Sequence, residues 1–420
     1  MHSAGSQLPS RQSARPFARR RGFICLLAVM MGMVGLPGLS TDGMAAPAKK
    51  EVKATAAADA SDDATLTIGF AGPLTGASSS VGRSMQNAVQ LAVDEANRKG
   101  LRLGGKNYQL KLSSQDDRAD PATAEYVARY LVSQHVIGVV GHWNSGATLA
   151  AAPVYHAAGV VQVSPATMSR KFTAQSYPGV FRTIPNNDSV GRLAAEYAVS
   201  KLGVKTLVTI DDRTPFGQGL AERFARTARE LGAEVIGSYS VSDKTSDFNR
   251  PLLEARRRNP DLIFFGGLDW QAGLLAKSIK RLKIEARLMA SSGTVGLPFL
   301  MRAGEDGNGA LVLEPGPAPG KMPGWKSFRQ RYSQSFDSDI DLYATFAYDA
   351  AQALINAMRQ ANSADPAMLA QEMHKLRFAG VSGPIAFNEE GDLLHPTFTM
   401  YEVQDRRWVP LFQINGIAQR

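Results

Sequence analysis

The sequence predicts an α/β fold built on parallel sheets, and three observations predict it. From Ala64 onward, short runs rich in β-branched residues alternate with amphipathic runs, the pattern of strands and crossover helices. The strand-like runs stop abruptly in small and polar residues, as strands do when they deliver loops. At 420 residues with 44% apolar content, the chain has material for the cores of two ordinary domains.

The first strand is Leu66 to Phe70, ending in the hydroxyl-rich loop Gly72-Pro73-Leu74-Thr75-Gly76-Ala77-Ser78-Ser79-Ser80. A helix follows with Ala88, Val89, Leu91, Ala92, Val93 and Ala96 on one broad apolar face, and Lys99-Gly100 marks its end. Tyr108 to Leu112 is the next strand. Asp120-Pro121 is an N-cap followed by proline at the first helical position, and Ala124, Val127 and Leu131 recur behind it at helical spacing.

Two strand ends then carry most of the functional argument. Val136 to Gly141 reads as a buried strand delivering His142-Trp143-Asn144-Ser145, and Ala147 to Ala152 are good helix formers. Asn144 and Ser145 therefore sit where free backbone N–H groups and the positive end of a helix dipole would face a small anion such as a carboxylate. Gly159 to Val163 is the second strand, ending in Ser164-Pro165-Ala166-Thr167.

Val180 to Ile184 is extended, and Pro185-Asn186-Asn187-Asp188 reads as a break between units. A second α/β series follows. Its strands are Thr206 to Ile210, Glu234 to Tyr239, Leu262 to Phe265 and Arg287 to Ala290. Its helices lie around Val190 to Leu202, Gly219 to Leu231, Phe248 to Arg257 and Gln271 to Leu282. Pro315 to Gly320 is the strongest non-helical punctuation in the chain. Helices near Trp325 to Gln334 and Tyr343 to Ala361 come next, and Thr397 to Val403 with Trp408 to Gln413 reads as a hairpin around Asp405-Arg406.

The N-terminus speaks to compartment. Arginines up to Arg21 precede the apolar run Phe23 to Leu36, and small residues follow near Met44-Ala45-Ala46, the order of a secretory signal peptide. Arg20-Arg21-Gly22-Phe23-Ile24 also resembles a twin-arginine signal, although Arg19 replaces the usual hydroxyl residue; either route leads out of the cytoplasm. Residues 47 to 63 show no apolar period and read as a disordered leader. The only cysteine, Cys25, lies inside the signal, so the mature chain is expected to carry no thiol, disulfide or thiolate chemistry.

The formal charge of +9 raises the question of nucleic acid. Five arginines and Asp42 lie within residues 1 to 46, so the remainder has 42 cations against 37 anions, a mild +5. No basic stripe is interleaved with aromatics, and Arg256-Arg257-Arg258 fits a solvated helix end. No nucleic-acid partner is expected.

Other motifs weigh against enzymes and cofactors. Phe216-Gly217-Gln218-Gly219 follows a strand as a dinucleotide fingerprint would, but Glu222 stands where the third glycine belongs. It reads as the start of a helix. His135, His142 and His156 lack metal-ligand spacing, so no metal or cofactor is expected. A hydrolase reading would pair Ser145 with His142, yet no Gly-x-Ser-x-Gly elbow surrounds the serine.

Several motifs taken in order resemble a known family. They are Ile68 to Gly76, Asp116-Asp117-Arg118-Ala119-Asp120-Pro121, Val140-Gly141-His142, Ser164-Pro165-Ala166-Thr167, Phe216 to Gly219, and Gly383-Pro384-Ile385-Ala386-Phe387-Asn388-Glu389-Glu390-Gly391-Asp392. Together, over roughly residues 64 to 413, they resemble the leucine/isoleucine/valine-binding proteins of bacterial ABC importers, which are type I periplasmic binding proteins. The resemblance implies two Rossmann-like lobes joined by a three-strand hinge, one formed by 64–185 plus 316–394 and the other by 186–315 plus 395–420. It also implies a monomer that holds a small ligand in the interlobe cleft and delivers it to an inner-membrane permease with its ATPase. The alternatives are a sensor domain of the same fold without a transport role, and the secreted serine hydrolase.

Carried onto this chain, the resemblance makes Ser145, with Trp143 and Asn144, the seat of a ligand carboxylate, and Ala166 a backbone receiver for the amino group. Where the family has a further hydroxyl the chain has Met168, with Thr167 as a substitute. Leu268 stands where an aromatic is usual, and Ser292 where amino-acid binders place an acid against the ammonium. Asp269 is the candidate replacement for that acid; its other reading is an N-cap for the following helix.

Overall fold

The computed structural model describes residues 64–416. The signal peptide read over residues 1 to 46, the leader read over 47 to 63, and residues 417 to 420 lie outside the described residues. Within them, 15 strands and 11 α-helices follow one another in a largely alternating order.

The first series runs β1 (Ala64–Gly72), α1 (Ser79–Lys99), β2 (Leu101–Leu103), β3 (Lys106–Asp116), α2 (Pro121–Ser133), β4 (Gly138–Gly141), α3 (Ser145–Ala157), β5 (Val161–Ser164) and β6 (Val180–Arg182). Its six strands lie in the order β2-β3-β1-β4-β5-β6, parallel except for the short β2–β3 pair. Successive residues serve opposite faces, as the two-residue period requires. Phe70 and Val140 join the core made with α1, whereas Ala71 and Val139 join Val127 and Leu131 of α2 and Tyr155 of α3.

The second series runs α4 (Asn187–Glu196), β7 (Thr206–Asp211), α5 (Pro215–Glu230), β8 (Glu234–Ser240), α6 (Asn249–Arg258), β9 (Leu262–Gly266), α7 (Asp269–Arg281), β10 (Arg287–Ala290), α8 (Leu297–Ala303) and β11 (Leu311–Pro315). The chain continues through α9 (Trp325–Ser335), α10 (Leu342–Ala361), α11 (Pro366–Lys375), the hairpin β12 (Arg377–Ala379) and β13 (Pro384–Ala386), then β14 (Thr397–Gln404) and β15 (Arg407–Asn415). The second sheet has the order β15-β14-β11-β10-β9-β7-β8, with β14 and β15 antiparallel and the rest parallel. Its faces split likewise: Phe264 stacks on Phe224 of α5 at 4.0 Å, and Phe265 meets Phe248 edge-on at 5.8 Å. Both α9 and α10 pack on α1, although β11 before them and β14 after them belong to the second sheet.

Several elements differ from the sequence reading. The segment read as pure punctuation is preceded by a full strand, β11, whose five residues are all buried. The helix expected from Gly219 begins at Pro215, because Thr214 caps it by accepting a hydrogen bond from Gly217 N. The helix expected from Val190 to Leu202 is α4 followed by one π-turn over Tyr197–Lys201. β2, α8, α11 and the β12–β13 hairpin were not expected as elements.

In each sheet the strand order reverses once, between β1 and β4 in the first and between β7 and β9 in the second. Ligands of open α/β sheets sit beyond the carboxyl ends of strands at such reversals. The loops that leave β4 and β9 carry Ser145 and Asp269 respectively.

Candidate functional site

The β4 side is built from a buried polar frame. His142 and Asp117 are fully buried; Nδ1 of the histidine lies 2.7 Å from an Asp117 oxygen and Nε2 lies 3.2 Å from the Tyr155 hydroxyl. Burial raises the Tyr155 phenol above its ordinary range and the Asp117 charge adds to that, so the hydroxyl stays protonated. The His142 carbonyl accepts from Ser164 Oγ at 3.0 Å and Thr148 Oγ1 at 3.3 Å.

In front of this frame, Asn144 is the N-cap of α3. Its Oδ1 accepts from Ala147 N at 2.7 Å and its Nδ2 donates to Ala119 O at 2.6 Å, so both ends of the amide serve the loop. Ser145 is the first helical residue, 2% exposed, and its Oγ accepts from Ser169 N at 3.3 Å. Trp143 is half-buried and packs on the main core. The nucleophile–base pairing of the hydrolase reading does not form: His142 is engaged by Asp117 and Tyr155, and Ser145 by Ser169.

The loop after β5 turns its hydroxyls inward. Ser164 Oγ accepts from Thr167 N at 2.9 Å, and the Thr167 hydroxyl, fully buried, pairs with that of Thr148. Thr167 is thus engaged with α3. Met168 is a core residue, 1% exposed, whose carbonyl accepts from Asn187 N at 2.7 Å; Ala166 is 8% exposed.

On the second sheet, Leu268 occupies the N-cap of α7 without a side-chain cap, and Asp269 is the first helical residue. The N-cap reading of Asp269 is corrected accordingly; its Oδ1 accepts from the next amide, Trp270 N, at 2.7 Å. Burial raises the Asp269 pKa, against the Trp270 bond and the charge of Arg302, which lies over the Trp270 ring. Ser292 is buried and donates to Leu313 O at 2.6 Å.

Sequence reasoning missed three groups gathered here. Glu314, near the end of β11, is 1% exposed and accepts from Gly293 N at 2.7 and 2.9 Å and from Val295 N at 3.0 Å, fixing the loop that carries Ser292. Burial pushes its carboxyl up to about 7, against those backbone bonds. Asp341, the N-cap of α10, is pushed up to about 6 by burial, and the charge of Asp269 adds to the shift. Tyr343 is raised by burial and then by Glu314, Asp341 and Asp269. Its hydroxyl stands 3.0 Å from where a Cβ on Gly293 would lie, and Gly293 has φ +83°, so the turn and the close approach both require glycine. The signal available in the sequence was a lone glutamate at the end of the apolar run Leu311–Leu313, a charge that a buried strand end carries only for a purpose.

The two sheets' loops approach one another at several points. Asn187, at the start of α4, donates its backbone N–H to Met168 O and its Nδ2 to Phe216 O at 2.9 Å. Gly217 packs directly on β9, where a Cβ would come within 2.4 Å of Gly266 O. The glycine therefore serves close helix–strand contact in place of phosphate binding. Among the described residues no group of three or more His, Cys, Asp or Glu is arranged to hold a metal, and no helix is long and apolar enough to cross a membrane.

Known proteins share this architecture. The chain is 29% identical over 340 residues to a Leu/Ile/Val-binding protein homologue of Brucella abortus, covering 81% of this chain and 90% of that one. A leucine-binding protein of Thermotoga maritima superposes with a TM-score of 0.75 at 26% identity, covering 83% of this chain and 98% of the other. A solute-binding protein of an ABC transporter from Rhodopseudomonas palustris, in complex with 3,4-dihydroxybenzoic acid, shares the fold with a TM-score of 0.72 at 21% identity, covering 84% and 98%. The fold is that of the type I periplasmic binding proteins, solute binders without enzymatic activity. The model of the periplasmic binding protein family matches residues 65–407, and the chain belongs to that family.

Proposed function

We propose that this protein is the periplasmic solute receptor of an ABC importer and that it binds an aliphatic α-amino acid between two lobes. The lobes comprise 64–185 plus 316–394 and 186–315 plus 395–420, and closure takes place about the three crossings near Pro185, Pro315 and Leu394. The ligand carboxylate sits at the N-terminus of α3 on Ser145, with Trp143 as a wall and the Ala166 backbone near the amino group. The observation that carries the choice of an amino acid is the gathering of Asp269, Asp341 and Tyr343 beside the Ser292 loop. Carboxylates held at raised pKa by burial, with the Asp269 charge adding to the shift of Asp341, are stabilised by a cation, and an ammonium group supplies one. Glu314 is committed to the loop amides, which leaves Asp269 and Asp341 as the acids for the ligand. The partners are an inner-membrane permease and its ATPase, and the receptor acts as a monomer.

A thermal-shift screen of the mature protein against amino acids, their amides and benzoates tests this. A ligand at a hundred times its Kd raises stability by about 2.7 kcal/mol. Leucine, isoleucine or valine shifting the melt, and Asp269→Asn abolishing that shift, is the expected result. The second reading is an aromatic acid without an amino group, favoured by Ser292 in the place of the family's acid; a shift with benzoates alone selects it. Ligand capture without stimulation of the reconstituted permease's ATPase would favour a sensor.

A further inference from the structure

Arg182, at the end of β6, is the largest fully buried side chain among the described residues, and its surroundings are more specific than packing demands. Its Nε lies 2.7 Å from Asp392, Nη1 donates to Thr167 O at 2.7 Å, and Nη2 donates to Ser169 O at 3.0 Å and Thr173 Oγ1 at 3.1 Å. The guanidinium lies over the Phe172 ring at 5.3 Å. A planar fork of donors can hold two carbonyls of one loop and a carboxylate at once, which an ammonium cannot.

The carboxylate extends the arrangement. Asp392 accepts from Thr173 Oγ1 at 3.0 Å and from Asn186 Nδ2 at 2.7 Å. Asn186 caps α4, the first helix of the second series, accepting from Ser189 N at 3.2 Å. Met168 O, between the two carbonyls held by Arg182, is taken by Asn187 N. Three consecutive carbonyls, 167 to 169, are therefore bonded to one crossing between the sheets, 182–187, and Asp392 of a second crossing, 388–392, is tied to that segment through Arg182 and Asn186.

We propose that the Arg182–Asp392 ion pair positions the loop 166–169 as a ligand wall and couples its geometry to the α4 cap, so that seating a ligand on this wall and moving the crossings are one event. Arg182 and Asp392 are positioning residues that touch no ligand themselves. The part of the proposal that concerns ligand rests on the amino-acid receptor reading; the coupling of loop to cap does not.

The test compares Arg182→Lys with wild type by amide hydrogen exchange without ligand and by calorimetric titration of L-leucine. Lysine keeps the charge for Asp392 and loses the fork. Exchange is expected to quicken about tenfold both at 167–169 and at 187–190, with the rest of the first sheet unchanged. The Kd for leucine, measured well below the melting temperature, is expected to rise about tenfold. A purely structural role would lower the melting temperature and leave that Kd unchanged. Faster exchange confined to 170–173, or none, overturns the coupling. Should Arg182→Lys fail to fold, Thr173→Val removes the hydroxyl shared by Arg182 and Asp392, and exchange must quicken at the same two segments. If wild type binds no leucine, the receptor reading falls while the exchange result still decides the coupling.

Discussion

Glu314 offers a prediction whose size follows from its surroundings. Its carboxyl is raised from 4.5 to about 7 by burial, so the folded state binds its proton more tightly than the unfolded chain does. The resulting stabilisation is fully present below the unfolded pKa near 4.5 and is lost as pH rises through about 7. At 1.36 kcal/mol per pKa unit, the loss amounts to roughly 3 kcal/mol. Glu314→Gln keeps an oxygen for the Gly293 and Val295 amides while abolishing this titration. Urea unfolding of both proteins between pH 4.5 and 8.5 should show the variant gaining about 3 kcal/mol relative to wild type across that range. Asp212, Asp341 and Asp349, each raised to about 6, titrate in both proteins and largely cancel in the difference. Parallel stability curves would refute the reasoning, showing that the carboxyl ionises in the folded state as readily as in the unfolded one.

Three further outcomes are expected. Ser145→Ala should weaken binding of an amino acid by about 10- to 100-fold, since a hydrogen bond to a charged group contributes roughly 1.5–3 kcal/mol; titration calorimetry showing less than about a threefold change would remove Ser145 from the site. His142→Ala leaves Asp117 Oδ2 without its ring partner in a buried setting, with only Oδ1 still held by Ala119 N, and should lower unfolding free energy by about 3 kcal/mol in urea; a loss under about 1 kcal/mol would mean that water replaces the ring. Gly217→Ala places a methyl 2.3 Å from Asp212 Oδ1 and 2.4 Å from Gly266 O, both on or beside the neighbouring strands. It should cost about 1–3 kcal/mol and lower the melting temperature by several degrees, whereas an unchanged melt would show that α5 slides freely on β9.

The sequence was most informative where burial and period coincide. Strands such as β4 and β9 are uninterrupted apolar runs ending in small residues, and the start of α3 at Asn144-Ser145 was readable because capping chemistry is local. β11 escaped because it is short, carries Glu314 and ends in Pro315, features that ordinarily argue against a buried strand. α11 was signalled by Asp365-Pro366, the same cap-and-proline pair as Asp120-Pro121, but its apolar stripe is weak. The acidic neighbourhood of Asp269 was legible only in part. Asp341 and Tyr343 stand about seventy residues away, at the start of a helix that packs on α1 and the first sheet, and no local pattern links them to the loops of the second sheet.

The margin formed by β15 bears on how these molecules behave when concentrated. It is the outermost strand of its sheet, mostly exposed, with Leu411 and Phe412 partly uncovered. Such an edge invites another chain to extend the ladder. Here Pro410 withholds a donor from the middle of the strand, a register shift at Met400/Tyr401 bends the hairpin, and the Tyr197 ring lies 5.2 Å from Phe412. The sheet thus ends in a strand ill suited to templating intermolecular β-pairing, and Pro410→Val should raise the light scattering of the concentrated protein above that of wild type.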